Sequence, residues 1–174
     1  MVLFLIGFMG CGKSTIGRRV AARIGYSFID MDAEIERRTG MDIPEIFAAE
    51  GEEGFRRRER QFLEEVMPED DVIIATGGGA PCFGDNLELM KSRGSVIYFN
   101  MRAGMLFRRL DKGRHRRPKL AGMDDLQLMK YIEATLAERE QYYSGASMTI
   151  DCNGASDEQI ASYIEYFITG HAGN

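Results

Sequence analysis

The sequence predicts a three-layer α/β fold built on a parallel sheet, and three observations carry that reading. Short apolar runs alternate with stretches of helical periodicity along the chain, as expected of strands joined by helical crossovers. The first run, Val2-Leu3-Phe4-Leu5-Ile6, is apolar at every position, which suits a central strand covered on both faces. It leads directly into Gly7-Phe8-Met9-Gly10-Cys11-Gly12-Lys13-Ser14-Thr15, a gapless match to G-x-x-x-x-G-K-[ST] between a strand and a helix start. Right-handed crossovers would then close the sheet.

In that context the loop reads as a phosphate cradle. Gly7, Gly10 and Gly12 let successive backbone N–H groups turn toward one anion, beside the positive end of the following helix. Lys13 can reach the β- and γ-phosphates of a nucleotide, and the Ser14 hydroxyl can ligate Mg²⁺. Ile16, Val20 and Ile24 recur at helical spacing, and Gly25 supplies the stop.

The 174 residues suit a single domain, 1–174, with 44% hydrophobic and 28% charged residues typical of a soluble globular protein. A net charge of −5 argues against a general nucleic-acid binder. Between Arg102 and Lys119, however, eight Lys or Arg face one acid, Asp111, so that segment is expected to meet an anion or to form a solvated basic face. Cys11, Cys82 and Cys152 lack disulfide or zinc spacing and fit a reducing cytoplasm; Cys11 reads as a small residue at a variable loop position. The apolar start is too short for a signal peptide or a membrane span. His115 and His171 have no metal-ligand partners at usable spacing.

Ser27-Phe28-Ile29-Asp30 is the second strand, ending in Asp30-Met31-Asp32. Ligands of open α/β sheets bind beyond the carboxyl ends of the strands, so two carboxylates there point to chemistry. A helix N-cap with a dipole-stabilising acid is the structural alternative. Asp42, Ile43 and Pro44 open a short helix, and Gly51 and Gly54 loosen its junction with Phe55-Arg56-Arg57-Arg58-Glu59-Arg60. Phe55, Phe62, Leu63 and Val66 mark a buried stripe, while Arg56 and Glu59 could form a surface pair at i, i+3. Val72-Ile73-Ile74-Ala75-Thr76 is the third strand and runs into Gly77-Gly78-Gly79, which permits close backbone approach by a ligand. No aspartate closes that strand, which argues against motor and transporter ATPases. A helical piece around Leu87 to Met90 precedes the fourth strand, Ser95 to Phe99. The basic segment follows, then a long helix from Asp124 to Tyr143, a fifth strand at Met148 to Asp151, and a last helix opened by a Ser156/Gln159 capping box. Met and Tyr residues on the helices read as core or rim filler.

The ordered set of motifs resembles the shikimate kinases, of the nucleoside monophosphate kinase type of P-loop fold, over essentially the full length. The resemblance rests on Gly7 to Thr15, Asp30-x-Asp32, Phe55-Arg56-x-x-Glu59, Gly77-Gly78-Gly79, Arg117-Pro118, and Arg139 followed by Tyr142 and Tyr143. It implies an α/β/α layering of a five-stranded parallel sheet in the order 2-3-1-4-5, and ATP-dependent phosphorylation of the shikimate 3-hydroxyl by a cytoplasmic monomer. Carried over by motif, Gly10, Cys11, Gly12, Lys13, Ser14 and Thr15 hold the ATP phosphates, with Ser14 on Mg²⁺ and Asp30 supporting the metal through water. Asp32 binds the acceptor hydroxyl and acts as base, Arg56 and Arg139 grip the carboxylate, and the backbone of Gly77, Gly78 and Gly79 meets the ring hydroxyls. Arg117 comes from a mobile lid, about residues 112–122, to meet the phosphates. Like charge and little apolar patterning from Arg114 to Lys119, with Gly113 as a hinge, also favour mobility there, with Pro118 stiffening the chain beside Arg117. Two positions depart from the family pattern: Lys119 precedes Leu120 where apolar residues are usual, and Asp151-Cys152-Asn153-Gly154 offers no arginine to adenine, leaving Arg109 or backbone atoms for that contact.

Overall fold

A computed structural model describes residues 1–117 and 119–171, so the expectation for Pro118 lies outside the described residues, as do the side chains of Arg116 and His171. Strands β1 (Val2–Ile6), β2 (Ser27–Asp30), β3 (Val72–Ala75), β4 (Ser95–Asn100) and β5 (Met148–Asp151) form one sheet in the order β2-β3-β1-β4-β5. Every pairing is parallel, in the order the resemblance implies. The connecting helices are α1 (Lys13–Ile24), α2 (Met31–Thr39), α3 (Ile43–Glu65), α4 (Asn86–Arg93), α5 (Ala103–Asp111), α6 (Asp125–Tyr143) and α7 (Asp157–His171).

Strand periodicity sorts β1 between two cores. Leu3 and Leu5 pack with Ile16, Leu106, Leu128 and Ile160, on the side of α1, α5, α6 and α7. Val2, Phe4 and Ile6 pack with Ile35, Phe62 and Met90, on the side of α2, α3 and α4. These two layers of helices around a central sheet are the α/β/α architecture. No described helix is long and apolar enough to cross a membrane.

Three local outcomes refine the sequence reading. The two helical pieces expected around Gly51 meet there as one kinked element, because Gly51 takes φ 68°, ψ −177°, outside helical geometry. Inside the basic segment, α5 forms because Leu106 and Leu110 make a buried face that the charge run conceals. Capping boxes close the starts of α3 (Asp42 with Glu45) and α6 (Asp124 with Gln127). Ser156 and Gln159 exchange the same pair of bonds, Ser156 N donating to Gln159 Oε1 at 2.9 Å and Gln159 N to Ser156 Oγ at 3.2 Å.

The turn into β4 is set by space. Gly94 has an extended backbone, φ −178°, that any residue adopts. A Cβ there would nevertheless sit 2.3 Å from the Val2 carbonyl oxygen and 2.8 Å from Val2 Cβ. Gly94→Ala should therefore lower the unfolding free energy in urea by about 2–3 kcal/mol, the usual cost of overpacking. Gly104→Ala, whose Cβ would meet nothing within 4 Å, should change it by less than about 1 kcal/mol. Equal losses would refute the steric account.

Candidate active site

The carboxyl ends of β1, β2 and β3 meet at one side of the sheet, and the site is built there. After β1 the chain turns with φ 139°, 80° and 102° at Gly7, Gly10 and Gly12, and α1 begins at Lys13. Lys13 is buried inside this loop, its Nζ donating to the carbonyls of Gly7 (2.7 Å) and Phe8 (3.0 Å). Its charge thus sits at the loop centre, beside the positive end of the α1 dipole. Cys11 is a buried core residue with Sγ 3.7 Å from Lys13 Nζ.

Asp30 unites the two readings that its position allowed. Its Oδ1 accepts from Ala33 N (3.3 Å) and caps α2, while Oδ2 accepts from Ser14 Oγ at 2.5 Å. The cap pins the carboxylate, and the carboxylate pins the hydroxyl. An all-oxygen pair of this kind fits Mg²⁺, which takes one or two protein oxygens and completes its shell with phosphate and water. Among the described residues no group of three His, Cys, Asp or Glu forms a metal cage, so the donor set suits an ion brought with a nucleotide.

A cavity of about 780 Å³ opens in front of the loop, lined by Gly10, Gly12, Lys13, Ser14 and Thr15 on one side and by Arg109 and Arg117 on the other. Arg109 is braced by Asp157 at the start of α7, its Nη2 donating to Oδ1 at 3.1 Å. Asp157 carried no signal in the sequence, since its partner lies 48 residues away. Arg117 Nη1 donates to its own segment at the Gly113 carbonyl, 3.3 Å. Leu120, just after the basic run 114–119, is fully buried in the core. Its N–H and that of Ala121 both donate to the Arg117 carbonyl, each at 2.9 Å. Arg114 Nη1 donates to Asp125 at 2.6 Å, and Lys119 Nζ lies 5.1 Å from the centre of the Phe47 ring.

Asp32, Arg56, Glu59 and Arg139 surround Gly77-Gly78-Gly79. A Cβ on Gly77 would lie 2.9 Å from Asp32 Oδ1 and 3.0 Å from Glu59 Oε1. One on Gly78 would lie 3.1 Å from Arg139 Nη1, and one on Gly79 2.7 Å from Arg56 Nη2. The three glycines are thus where four charged side chains close on the backbone. Arg56 and Glu59 are no surface pair: Glu59 is fully buried and accepts from Arg56 Nη1 at 2.7 Å. A charge so deeply buried requires its partner, so the pair belongs to the site's interior. Phe83 stacks on the Arg56 guanidinium at 4.0 Å, a contact that the sequence did not signal. Asp32 Oδ1, Glu59 Oε1 and Arg56 Nε are buried without a hydrogen-bond partner among the described residues. Buried polar atoms are normally satisfied, so three unsatisfied ones at one spot mark a surface prepared for a polar ligand. The tyrosines are also more than filler: Tyr98 Oη donates to Glu140 Oε2 (3.1 Å) and Tyr143 Oη to the Gly78 carbonyl (2.6 Å).

Burial raises the Asp32 pKa, helped by the Asp30 charge and opposed by Lys13 and Arg56. Burial likewise pushes Glu59 up to about 7 against the pull of Arg56 and Arg139, with Asp32 adding to the rise. Between its ordinary value of 4.5 and about 7, Glu59 holds a proton in the folded protein that the unfolded chain releases. Stability should therefore fall as pH rises through that window. Glu59→Gln should flatten the slope without abolishing it, because Asp32 contributes with the same sign. Urea titrations at intervals from pH 4.5 to 7.5 check this, and an unchanged slope would place the Glu59 proton elsewhere.

Comparison with known proteins agrees with this geometry. The shikimate kinase family model matches residues 9–169. A shikimate kinase of Parabacteroides distasonis is 44% identical over 149 residues, 86% of each chain. The crystal structure of shikimate kinase from Bacteroides thetaiotaomicron superposes with a TM-score of 0.90 at 37% identity, covering 97% of this chain and 98% of that one. Shikimate kinase from Acinetobacter baumannii, solved in complex with shikimate, gives a TM-score of 0.87 at 34% identity over 99% of this chain and 95% of the other. With the family matched along most of its length and the fold shared from end to end, the chain belongs to the shikimate kinase family.

Proposed function

We propose that the protein transfers the γ-phosphoryl group of ATP to the 3-hydroxyl of shikimate, giving shikimate 3-phosphate and ADP. The observation that carries this reading is the cluster of unpartnered buried atoms, Asp32 Oδ1, Glu59 Oε1 and Arg56 Nε, beside a loop built for phosphate. A polar, hydroxylated acid satisfies both signs of charge in that cluster.

Gly10 to Thr15 cradle the ATP phosphates, and Arg109 and Arg117 face them across the cavity. Arg109 offers its planar guanidinium on the adenine side, where the turn after β5 has no arginine. Ser14, supported by Asp30, would hold Mg²⁺, which would supply countercharge to the transferring group. Lys13 adds a fixed positive charge at the same point, where positioning and electrostatics do most of the work of phosphoryl transfer. Arg56 and Arg139 hold the shikimate carboxylate, and the glycine run meets the ring hydroxyls. As the bond from the 3-oxygen to phosphorus forms and the bond to the ADP oxygen breaks, the hydroxyl proton passes to Asp32. The raised pKa of Asp32 makes it a better acceptor than an ordinary aspartate. Residues 112–122 act as a lid that closes Arg117 over the phosphates and excludes water. The free cysteines Cys11, Cys82 and Cys152 suit a reducing cytoplasm.

ADP release measured in parallel with shikimate, gluconate, AMP and CMP should show turnover with shikimate alone. Turnover with another acceptor and none with shikimate would leave only the fold. Arg56→Lys and Arg139→Lys keep the charge and lose the paired donors. Each should weaken shikimate binding by about tenfold or more while ATP affinity stays within about twofold. Calorimetry with each ligand checks this, and equal losses for both would move these arginines out of the acceptor site.

A further inference from the structure

Three carbonyl oxygens leave the glycine run, and each is tied down. Ala80 N donates to Gly77 O (3.2 Å) and Cys82 N to Gly79 O (3.0 Å), both local turns of the chain. The middle one differs: Gly78 O accepts from the phenol of Tyr143, at 2.6 Å, from the last residue of α6 and 65 positions away. Among the described residues none of the three glycine N–H groups donates to the protein. The run thus anchors its acceptors behind and presents its donors in front. Glycine peptides are the most easily rotated of all, so the direction of these donors depends on the anchors.

Tyr143 is suited to anchoring. It is fully buried and stacks on Tyr98 with ring centroids 4.9 Å apart, which fixes its ring before the phenol acts. The Arg139 guanidinium, four residues earlier on the same helix, lies close enough to the phenol to interact with it electrostatically. The hydroxyl therefore holds the Gly78–Gly79 peptide and neighbours a second element of the acceptor site.

We propose that Tyr143 is a positioning residue for the acceptor: its hydroxyl fixes the Gly78–Gly79 peptide, beside Arg139, in the arrangement that receives the shikimate hydroxyls. This rests on the assignment of Gly78 and Arg139 to the acceptor site. The residue does not touch the reacting atoms, so its loss should appear in acceptor binding and not in nucleotide binding.

Tyr143→Phe removes the hydroxyl and keeps the stacked ring. Tyr98→Phe is its control, since it removes a neighbouring phenol that bonds Glu140 at 3.1 Å on α6. Steady-state kinetics with both substrates, and shikimate calorimetry, should be run on these two variants and on Arg139→Lys. For Tyr143→Phe we expect shikimate KM and Kd to rise about tenfold, the worth of one well-formed buried hydrogen bond. ATP KM should stay within about twofold and kcat within about threefold. Tyr98→Phe should leave shikimate KM unchanged. If both tyrosine variants raise shikimate KM alike, the effect is general core packing and the inference fails. If Tyr143→Phe binds shikimate normally while Arg139→Lys does not, the inference fails and the acceptor site stands. If neither affects shikimate binding, the acceptor site itself is misassigned and the inference falls with it.

Discussion

Val2 to Ile6 have no exposed face, and from that burial most of the architecture follows. A strand covered on both faces needs a hydrogen-bonded neighbour on each edge and a layer of helices above and below. β1 has β3 and β4 as neighbours, and Leu3, Phe4 and Leu5 seat the two cores alternately. The strand's end is thus held on both edges and both faces, and the phosphate loop grows from it. Lys13 can be held by the Gly7 and Phe8 carbonyls only because the chain leaving β1 is fixed there. The Asp30 end of β2 and the glycine run after β3 are brought alongside by the same parallel register.

The two ends of the site solve opposite electrostatic problems. On the phosphate-loop side, Arg109 and Arg117 border an open cavity, Arg109 paired with Asp157, and Lys13 is buried in the loop on carbonyl oxygens. Toward the acceptor, Asp32 and Glu59 are buried, and burial raises the pKa of each. Arg56 restrains that rise at both, and Lys13 restrains it at Asp32. In the role of base proposed for it, Asp32 gains proton affinity from desolvation, and the neighbouring cations oppose that rise.

The sequence made the local features legible and hid the distant ones. Strands, the phosphate loop and the Ser156/Gln159 capping box depend on residues within a few positions of each other, and the structure has them where the pattern put them. α5 was hidden because its buried Leu106 and Leu110 stand among arginines that dominate the segment's composition. The spacing of Arg56 and Glu59 is the same on a surface as in a core, so only the fold could show that Glu59 is buried. Asp157 on Arg109 and Tyr143 on Gly78 are contacts across 48 and 65 residues. Asp30 was legible as either a cap or a functional carboxylate, but two oxygens allow it to be both.

The proposed lid is anchored unevenly, and the magnitudes decide how it can move. Leu120 is fully buried in the core, a contact worth about 2–3 kcal/mol for a leucine side chain. Lys119, one residue earlier, only rests over Phe47 at 5.1 Å, and an exposed cation–π contact contributes about 0.5–1 kcal/mol. Arg117 holds its segment through Gly113, a bond within the lid that opening need not break. Opening of the proposed lid about the Leu120 anchor would cost both the Lys119 contact and the Arg114–Asp125 pair. Phe47 belongs to the short piece of α3 before the Gly51 kink, which is coupled through Phe55 (ring centroids 4.9 Å apart) to the helix that carries Arg56. Where the family pattern has an apolar residue, Lys119 thus links the basic segment to the piece of α3 that packs on Phe55.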